Sequence, residues 1–437
     1  MNPLLRRIAG TLFSLLFLPS AHAAGDHFIV TALAPDLLML STDQGSYCTN
    51  SLIFTGTDGV LLVDTHHASE SEALESFLEN RGFGPPTYII TTHRHVEHIG
   101  GNGAFGADPI IVAHALVPEK LRSGAFLFME YPPESMPDIT FNDSMEIHFN
   151  GDLIRLTAIG GSHDDNEILV HFTKHRVAHV SSVVNGFNFP SVDDDGDALG
   201  FEAVTRRLMN LLPRDIRVVS GHNGKARGFD FVGTWDMLTE YADMMKQSVE
   251  IVRAGLNEGK TLEQMQGDGV LDEYRDYAGS YVSTDDWLES VVNALTEPRD
   301  DRADVYRPVF EEWKKHGARA AVDCYRTLLQ TQGARYNVSE NVLLSIGSKL
   351  YDRGLYDDSI AFLRGSIEIY PEAEYGYYTH YLAAKAFQRQ SNPDLAARHC
   401  RESLRLNPEF TAASRLLAKL AAEIPAQPPS AYDGGHP

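Results

Sequence analysis

Between Thr92 and Gly101 the chain reads Thr-His-Arg-His-Val-Glu-His-Ile-Gly-Gly, which puts His93, His95, Glu97 and His98 within six residues. Neutral imidazole is the commonest protein ligand for zinc, and carboxylate is its usual companion in hydrolytic sites. On an extended segment His93 and His95 alternate and point the same way, while Glu97 and His98 turn toward a second position. One such loop can serve two neighbouring metal ions. A merely solvated polar loop has no need of four donors packed directly behind an apolar strand.

Donors of this kind need a rigid frame, and the sequence supplies one up to about Gly221. Short apolar runs alternate with turn chemistry. Asn50–Phe54 and Val60–Asp64 flank Thr55-Gly56-Thr57-Asp58-Gly59, a hairpin pattern, and Met145–His148 and Leu153–Ala158 flank Asn150-Gly151, the strongest short hairpin signal. Glu70–Arg81 has helical spacing and stops before Gly82, and Tyr88–Thr91 is a β-branched run leading into the histidine cluster. Ile168–Phe172, Val177–Ser181 and Ile216–Ser220 add strands, with a helix from Gly200 to Leu212 between the last two. Hairpins mixed with βα units predict layered sheets flanked by helices.

Strand signals stop after Gly233. Trp235–Leu256, Thr261–Tyr277, Asp285–Leu295 and Arg302–Thr331 read as helices whose Met and aromatic positions suit core packing. Farther on, Ser359, Leu363, Ser366, Ile367, Ile369 and Pro371 recur 37 residues later as Ala396, Cys400, Ser403, Leu404, Leu406 and Pro408. That spacing matches the second helix of a tetratricopeptide repeat, with Gly347, Tyr351 and Gly354 in the preceding helix and turn and the extra residues near Asn392-Pro393.

Composition narrows the function. The 437 residues carry 37 Lys+Arg against 60 Asp+Glu, a net charge of −23, which disfavours nucleic acid and anionic membrane surfaces as partners. Three cysteines (Cys48, Cys324 and Cys400) exclude a disulfide scaffold and a four-thiolate zinc site. Arg6-Arg7, the apolar run Ile8–Leu18 and Ala21-His22-Ala23 have the layout of a signal peptide cleaved after Ala23. The expected location is therefore the periplasm or the cell exterior, with no membrane attachment after cleavage.

The histidine cluster resembles the His-x-His-x-Asp-His signature of the metallo-β-lactamase superfamily, and the resemblance extends over roughly Leu37 to Asp230. Gly160-Gly161-Ser162-His163 precedes a strand as the family's third histidine does. Val219-Ser220-Gly221-His222 matches the Gly-His that supplies the last ligand. Asp64, closing Leu61-Leu62-Val63-Asp64, matches the carboxylate that orients a ligand histidine. The resemblance implies an αββα sandwich with two zinc ions, the first held by His93, His95 and His163 and the second by Glu97, His98 and His222.

Two departures qualify it. Glu97 stands where the family has Asp, which lengthens the side chain by a methylene. Ser182 stands where many members carry a metal-bridging Asp. The β-lactamase subclass with an Asp/His/His second site carries Ser there, and the absence of Cys excludes the subclasses with a cysteine ligand. Among other histidines, His66 and His67 suit loop or capping roles, while His171, His175 and His179 are expected at the solvent face or core edge. Asp193-Asp194-Asp195 with Asp197 lacks the calcium-loop pattern and reads as a solvated acidic loop.

The resemblance implies hydrolysis of a cyclic amide or ester by hydroxide formed on paired zinc ions, with Glu97 holding the nucleophile. Within that class the sequence favours a β-lactam, with a lactonase or esterase as the alternative. A non-catalytic exported binding protein with a degenerate metal site is the reading from a different class. The substrate is a small molecule with a hydrolysable carbonyl, and the C-terminal helices offer a surface for a protein partner or self-association. The expected organisation is α/β followed by all-α: a signal peptide (1–23), the catalytic domain (24–232), a helical extension (233–336), tetratricopeptide-like repeats (337–424) and a disordered tail (425–437).

Overall fold

The computed structural model describes residues 27–42, 47–105, 109–123, 128, 131–192, 196–224, 227–279, 282–296 and 303–423. The expected signal peptide, the tail at 425–437 and the acidic run at 193–195 lie outside them. The chain forms two compact units, Met1–Val117 with Pro133–Thr296, and Pro118–Pro132 with Glu297–Pro437.

The first unit begins with an antiparallel meander, β1 (Phe28–Ala34), β2 (Leu37–Thr42), β3 (Tyr47–Gly56) and β4 (Gly59–Val63). Helix α1 (Ser71–Asn80) crosses to β5 (Pro86–Ile90), and the single turn α2 (Val96–Ile99) precedes β6 (Ile110–His114). The chain then leaves the first unit in α3 (Val117–Ser123), which belongs to the second unit from Pro118 on, and returns for β7 (Ile139–Phe141), β8 (Ser144–Phe149), β9 (Asp152–Ala158), β10 (Ile168–Phe172) and β11 (Val177–His179). Helix α4 (Phe201–Leu211) crosses to β12 (Arg217–Val219), followed by β13 (His222–Gly224) and β14 (Gly233–Thr234). Helices α5 (Trp235–Asn257), α6 (Leu262–Gly267) and α7 (Thr284–Thr296) complete the unit.

One sheet runs β1-β2-β3-β4-β5-β6-β7, with β13 paired to β3; the other runs β14-β12-β11-β10-β9-β8. Strands β4 to β7 are parallel to one another, as are β11 and β12. Asn150 and Gly151 both adopt positive φ (49° and 74°), as a two-residue turn of that sequence requires. The tip of this hairpin is pinned to the β3–β4 turn, where the Asn150 amide donates to Asp58 Oδ2 at 2.7 Å and the Asp58 amide donates to Asn150 Oδ1 at 2.8 Å.

Central strands such as β4 and β10 are buried on both faces because each sheet is covered on both sides there. Leu61 and Val63 of β4 face Ile154, Leu156, Val170 and Phe172 of the other sheet, whereas Val60 and Leu62 pack with Leu74 and Leu78 of α1. Beyond the second sheet, Leu169, Ala178 and Val218 share a core with Phe201 and Leu208 of α4, Leu238 and Tyr241 of α5, and Trp287 of α7. These layers make the αββα sandwich. Helices α5 and α7 thus complete the core of the second sheet, and the compact unit runs on to Thr296 rather than ending at the expected boundary of 232.

The second unit has a two-stranded parallel pair, β15 (Ala303–Asp304) and β16 (Tyr336–Asn337), with helices α8 (Tyr306–His316) and α9 (Ala318–Gln332). Then come α10 (Asn341–Asp352), α11 (Tyr356–Ile369), α12 (Gly376–Arg389), α13 (Pro393–Leu406) and α14 (Thr411–Glu423). Helices α11 and α13 are 14 residues each, and they start at Tyr356 and Pro393, the 37-residue offset read from the sequence. A Cβ on Gly347 would stand 2.7 Å from the Leu363 side chain, so α10 and α11 approach closely there. Among the described residues, no helix is long and apolar enough to cross a membrane.

Candidate metal centre

All the candidate donors lie where strands end on one edge of the sandwich, outside the carboxyl ends of parallel strands, where open α/β sheets place their ligands. Strand β4 delivers Asp64, and β5 runs into His93, His95, Glu97 and His98. The β9–β10 loop carries His163, β11 leads into Ser181 and Ser182, and β12 leads to His222. Gly100 and Gly101 let the donor loop pack against the Asp64 loop. A Cβ on Gly100 would stand 2.4 Å from the Ala68 nitrogen, and one on Gly101 would stand 2.6 Å from the Thr65 oxygen.

Six side chains converge as two groups of three: His93, His95 and His163, and Glu97, His98 and His222. In the first, His95 Nδ1 lies 3.0 Å from His93 Nε2 and 3.1 Å from His163 Nε2. In the second, the Nε2 atoms of His98 and His222 are 3.1 Å apart, and Glu97 Oε1 is 3.8 Å from that of His222. Glu97 Oε1 is also 4.0 Å from His95 Nδ1, so it lies between the groups. Nitrogen separations near 3 Å approach the ~3.3 Å edge of a tetrahedron with zinc–nitrogen bonds of about 2.0–2.1 Å.

The outward nitrogens are engaged, which turns the inward ones into lone-pair donors. His163 Nδ1 donates to Ser191 O at 3.0 Å and His222 Nδ1 to Cys48 O at 3.1 Å. His93 Nδ1 lies 3.1 Å from the hydroxyls of both Thr92 and Ser181. His98 Nδ1 donates to Asp64 Oδ2 at 2.7 Å. Asp64 is itself gripped by Thr92, through the amide to Oδ1 at 2.8 Å and the hydroxyl to Oδ2 at 2.7 Å. It takes a left-handed backbone (φ 60°), a strained geometry that aims its carboxylate at both partners.

Burial dominates the electrostatics. It lifts the Asp64 carboxyl to about 7, against the opposing pull of His179 and the Thr92 bonds. It drives His98 and His222 down to about 3 and His93 well below the usual imidazole range, which keeps them neutral, the form that binds metal. Burial alone would raise Glu97 too, but His95, His98 and His222 outweigh it and bring the carboxyl down to about 2.

Ser182 lies beside the donors without being one of them. Its hydroxyl is buried and makes no hydrogen bond, and its amide donates to Glu167 Oε1 at 3.1 Å. Two secondary histidines, His171 and His179, sit deeper than expected, whereas His175 is partly buried in the turn between β10 and β11, in keeping with a core edge. His179 is fully buried rather than at a core edge, His171 is 7% exposed, and His175 bridges Asp152 Oδ2 at 2.6 Å and Asp36 Oδ1 at 2.9 Å. A period-two pattern marks their faces but does not show that both faces of each sheet are covered. His66 is fully buried, with Nε2 2.7 Å from Ser51 Oγ. Asp164 and Glu167, two fully buried carboxylates behind His163, have no apolar pattern to mark them in the sequence, where they sit in the polar run Ser162-His163-Asp164-Asp165-Asn166-Glu167 before the strand.

Residues 47–222 match the family model of the metallo-beta-lactamase superfamily, so the first unit carries a domain of that superfamily. An N-acyl homoserine lactonase of Bacillus thuringiensis subsp. kurstaki is 33% identical over 125 residues, 23% of this chain and 49% of the relative. Another, from Bacillus cereus, is 37% identical over 70 residues, 15% of this chain and 27% of the relative. The chain spans about half the length of the curated relatives it matches. A metallo-beta-lactamase structure from Pontibacter korlensis aligns at 18% identity with a TM-score of 0.43, covering 50% of this chain and 99% of that one.

Proposed function

We propose that this metallo-beta-lactamase superfamily domain is a two-zinc hydrolase that opens a cyclic ester. The observation that carries the reading is the pair of three-donor clusters with Glu97 Oε1 between them, 4.0 Å from His95 Nδ1 and 3.8 Å from His222 Nε2. Neutral imidazoles and one carboxylate per pair suit zinc. Zinc ions held there would lower the pKa of water and polarise a carbonyl oxygen.

The chain's own residues do the rest. Glu97, ionised at neutral pH, would accept a hydrogen bond from the attacking water at Oε1 and so orient it. Asp64 fixes the His98 tautomer and Thr92 fixes Asp64. His163 and His222 are held by carbonyls that do not titrate. The donors need little reorganisation during the reaction, which is the condition for preorganised catalysis.

A lactone is favoured because the curated relatives are named as lactonases of N-acyl homoserine lactones. A β-lactam is the second reading, and Ser182 supports it, since no carboxylate occupies that position. The test offers zinc-loaded full-length protein N-acyl homoserine lactones and nitrocefin, each with and without chelator. Chelator-sensitive lactone opening supports the first reading and nitrocefin turnover the second; bound zinc with neither activity points to a binding protein. The N-terminal Arg6-Arg7, apolar run and Ala21-His22-Ala23 support export to the periplasm. The paired helices α10–α13, with α11 and α13 offset by 37 residues, support a tetratricopeptide-like surface for a protein partner or self-association.

A further inference from the structure

Within the first triad His95 is the odd member. His93 and His163 turn Nε2 inward, whereas His95 turns Nδ1 inward. A neutral imidazole carries one proton, so the His95 proton must then sit on Nε2, in a place only 6% exposed. That atom lies 3.2 Å from Asp164 Oδ2. Arg94 Nε lies 3.0 Å from the same oxygen, with Arg94 and Asp164 both buried.

The network reaches both loops that carry the triad. Asp164 Oδ1 accepts from the Asp165 amide at 2.7 Å, and Asn166 Oδ1 accepts from the Arg94 amide at 3.0 Å. Asp164 is bonded in sequence to His163, and Arg94 stands between His93 and His95. A buried carboxylate without a cation would be costly, and Arg94 offsets that cost.

We propose that Asp164 is the positioning residue of the first triad. Its Arg94-neutralised carboxylate holds the Nε2 proton of His95 and so selects Nδ1 as the ligating atom. Asp64 does the equivalent for His98 in the second triad, so each half of the centre has its own outer carboxylate and the two halves should fail separately. The inference rests on the two-zinc reading.

The test counts zinc retained by the full chain after dialysis and measures its affinity by competition with a chromophoric chelator, with circular dichroism to confirm folding. Wild type should retain two ions and His222→Ala one. Adding Asp164→Asn to His222→Ala should weaken the remaining ion 10- to 100-fold, the usual size of an outer-partner effect. Adding Asp64→Asn instead should leave it in place. Arg94→Gln breaks the ion pair but keeps the acceptor, so it should lower the melting temperature while keeping the first ion. Unchanged affinity in Asp164→Asn/His222→Ala overturns the proposal, as does equal loss of the ion in Arg94→Gln, which would mean that the network only supports the loop. A wild-type chain that retains no zinc overturns the two-zinc reading and this proposal with it.

Discussion

Gly221 and His98 approach so closely that a Cβ on the glycine would stand 3.0 Å from the imidazole Cε1. The same Cβ would meet Ser182 Oγ at 2.9 Å and Ser181 O at 3.0 Å, while the Gly221 amide donates to Ser181 O and its carbonyl accepts from Asn50. The glycine before His222 is thus fixed by crowding, since its φ is negative and needs no special freedom. Gly221→Ala should cost about 1–3 kcal/mol of stability by overpacking and weaken the second triad by moving His98. Urea unfolding and zinc counting check both; a stable variant with both ions would show that the loop yields.

Glu97 offers a graded test. Glu97→Asp keeps the charge but retracts the carboxylate by about one bond length, so zinc should stay while turnover falls by up to about a hundredfold. Glu97→Ala leaves His98 and His222 as a two-donor site and should lose the second ion. Elemental analysis beside steady-state rates distinguishes these outcomes, and an Ala variant with two ions and full rate would remove Glu97 from the centre.

Acid should destabilise the fold through histidines that hold no metal. Burial brings His66 to about 3 and His179 to about 4, while both titrate at about 6.5 when unfolded. Between those values the unfolded chain binds more protons than the folded one. Their contribution is therefore whole above pH 6.5 and is lost as the pH falls toward 4. Each such group adds up to about 1.4 kcal/mol per pH unit to the slope. Chelator-treated protein unfolded in urea at pH 7, 6 and 5 should show a falling midpoint, and His66→Asn should flatten that fall.

Trp287 tests where the first unit ends. It is fully buried, donates through Nε1 to Ser248 Oγ at 3.0 Å, stacks on Phe189 at 5.6 Å and meets Phe201 edge-on at 5.9 Å. Trp287→Ala should cost about 3–5 kcal/mol. A chain cut at 232 leaves Phe187, Phe189 and Leu208 without α5 and α7 and should be recovered insoluble. A soluble truncated chain with a cooperative melt would restore the shorter boundary.

Four of the six converging donors were legible because they stand within one loop. His163 and His222 were placed by the resemblance, with Gly160-Gly161 and Gly221 just before them. The hairpins were legible where turn chemistry is strict, as at Asn150-Gly151. Strands β1, β2, β6 and β7 were not, because a short run without strict turn chemistry beside it carries no period that separates it from a loop or a buried helix. The boundary at 232 was placed where strand signals end, and amphipathic helices do not say which sheet they cover. Asp164 escaped because its partners, Arg94 and His95, are some seventy residues away, and a pairing of that range has no local signature.

No thiolate takes part in the donor set. Cys48 meets the centre through its carbonyl, which accepts from His222 Nδ1, while its buried sulfur faces Asn50 Oδ1 at 3.2 Å. Imidazole and carboxylate ligands do not respond to peroxide or to disulfide exchange as cysteine ligands do. An oxidising milieu that would strip a cysteine-ligated centre should leave the zinc retention of this donor set unchanged.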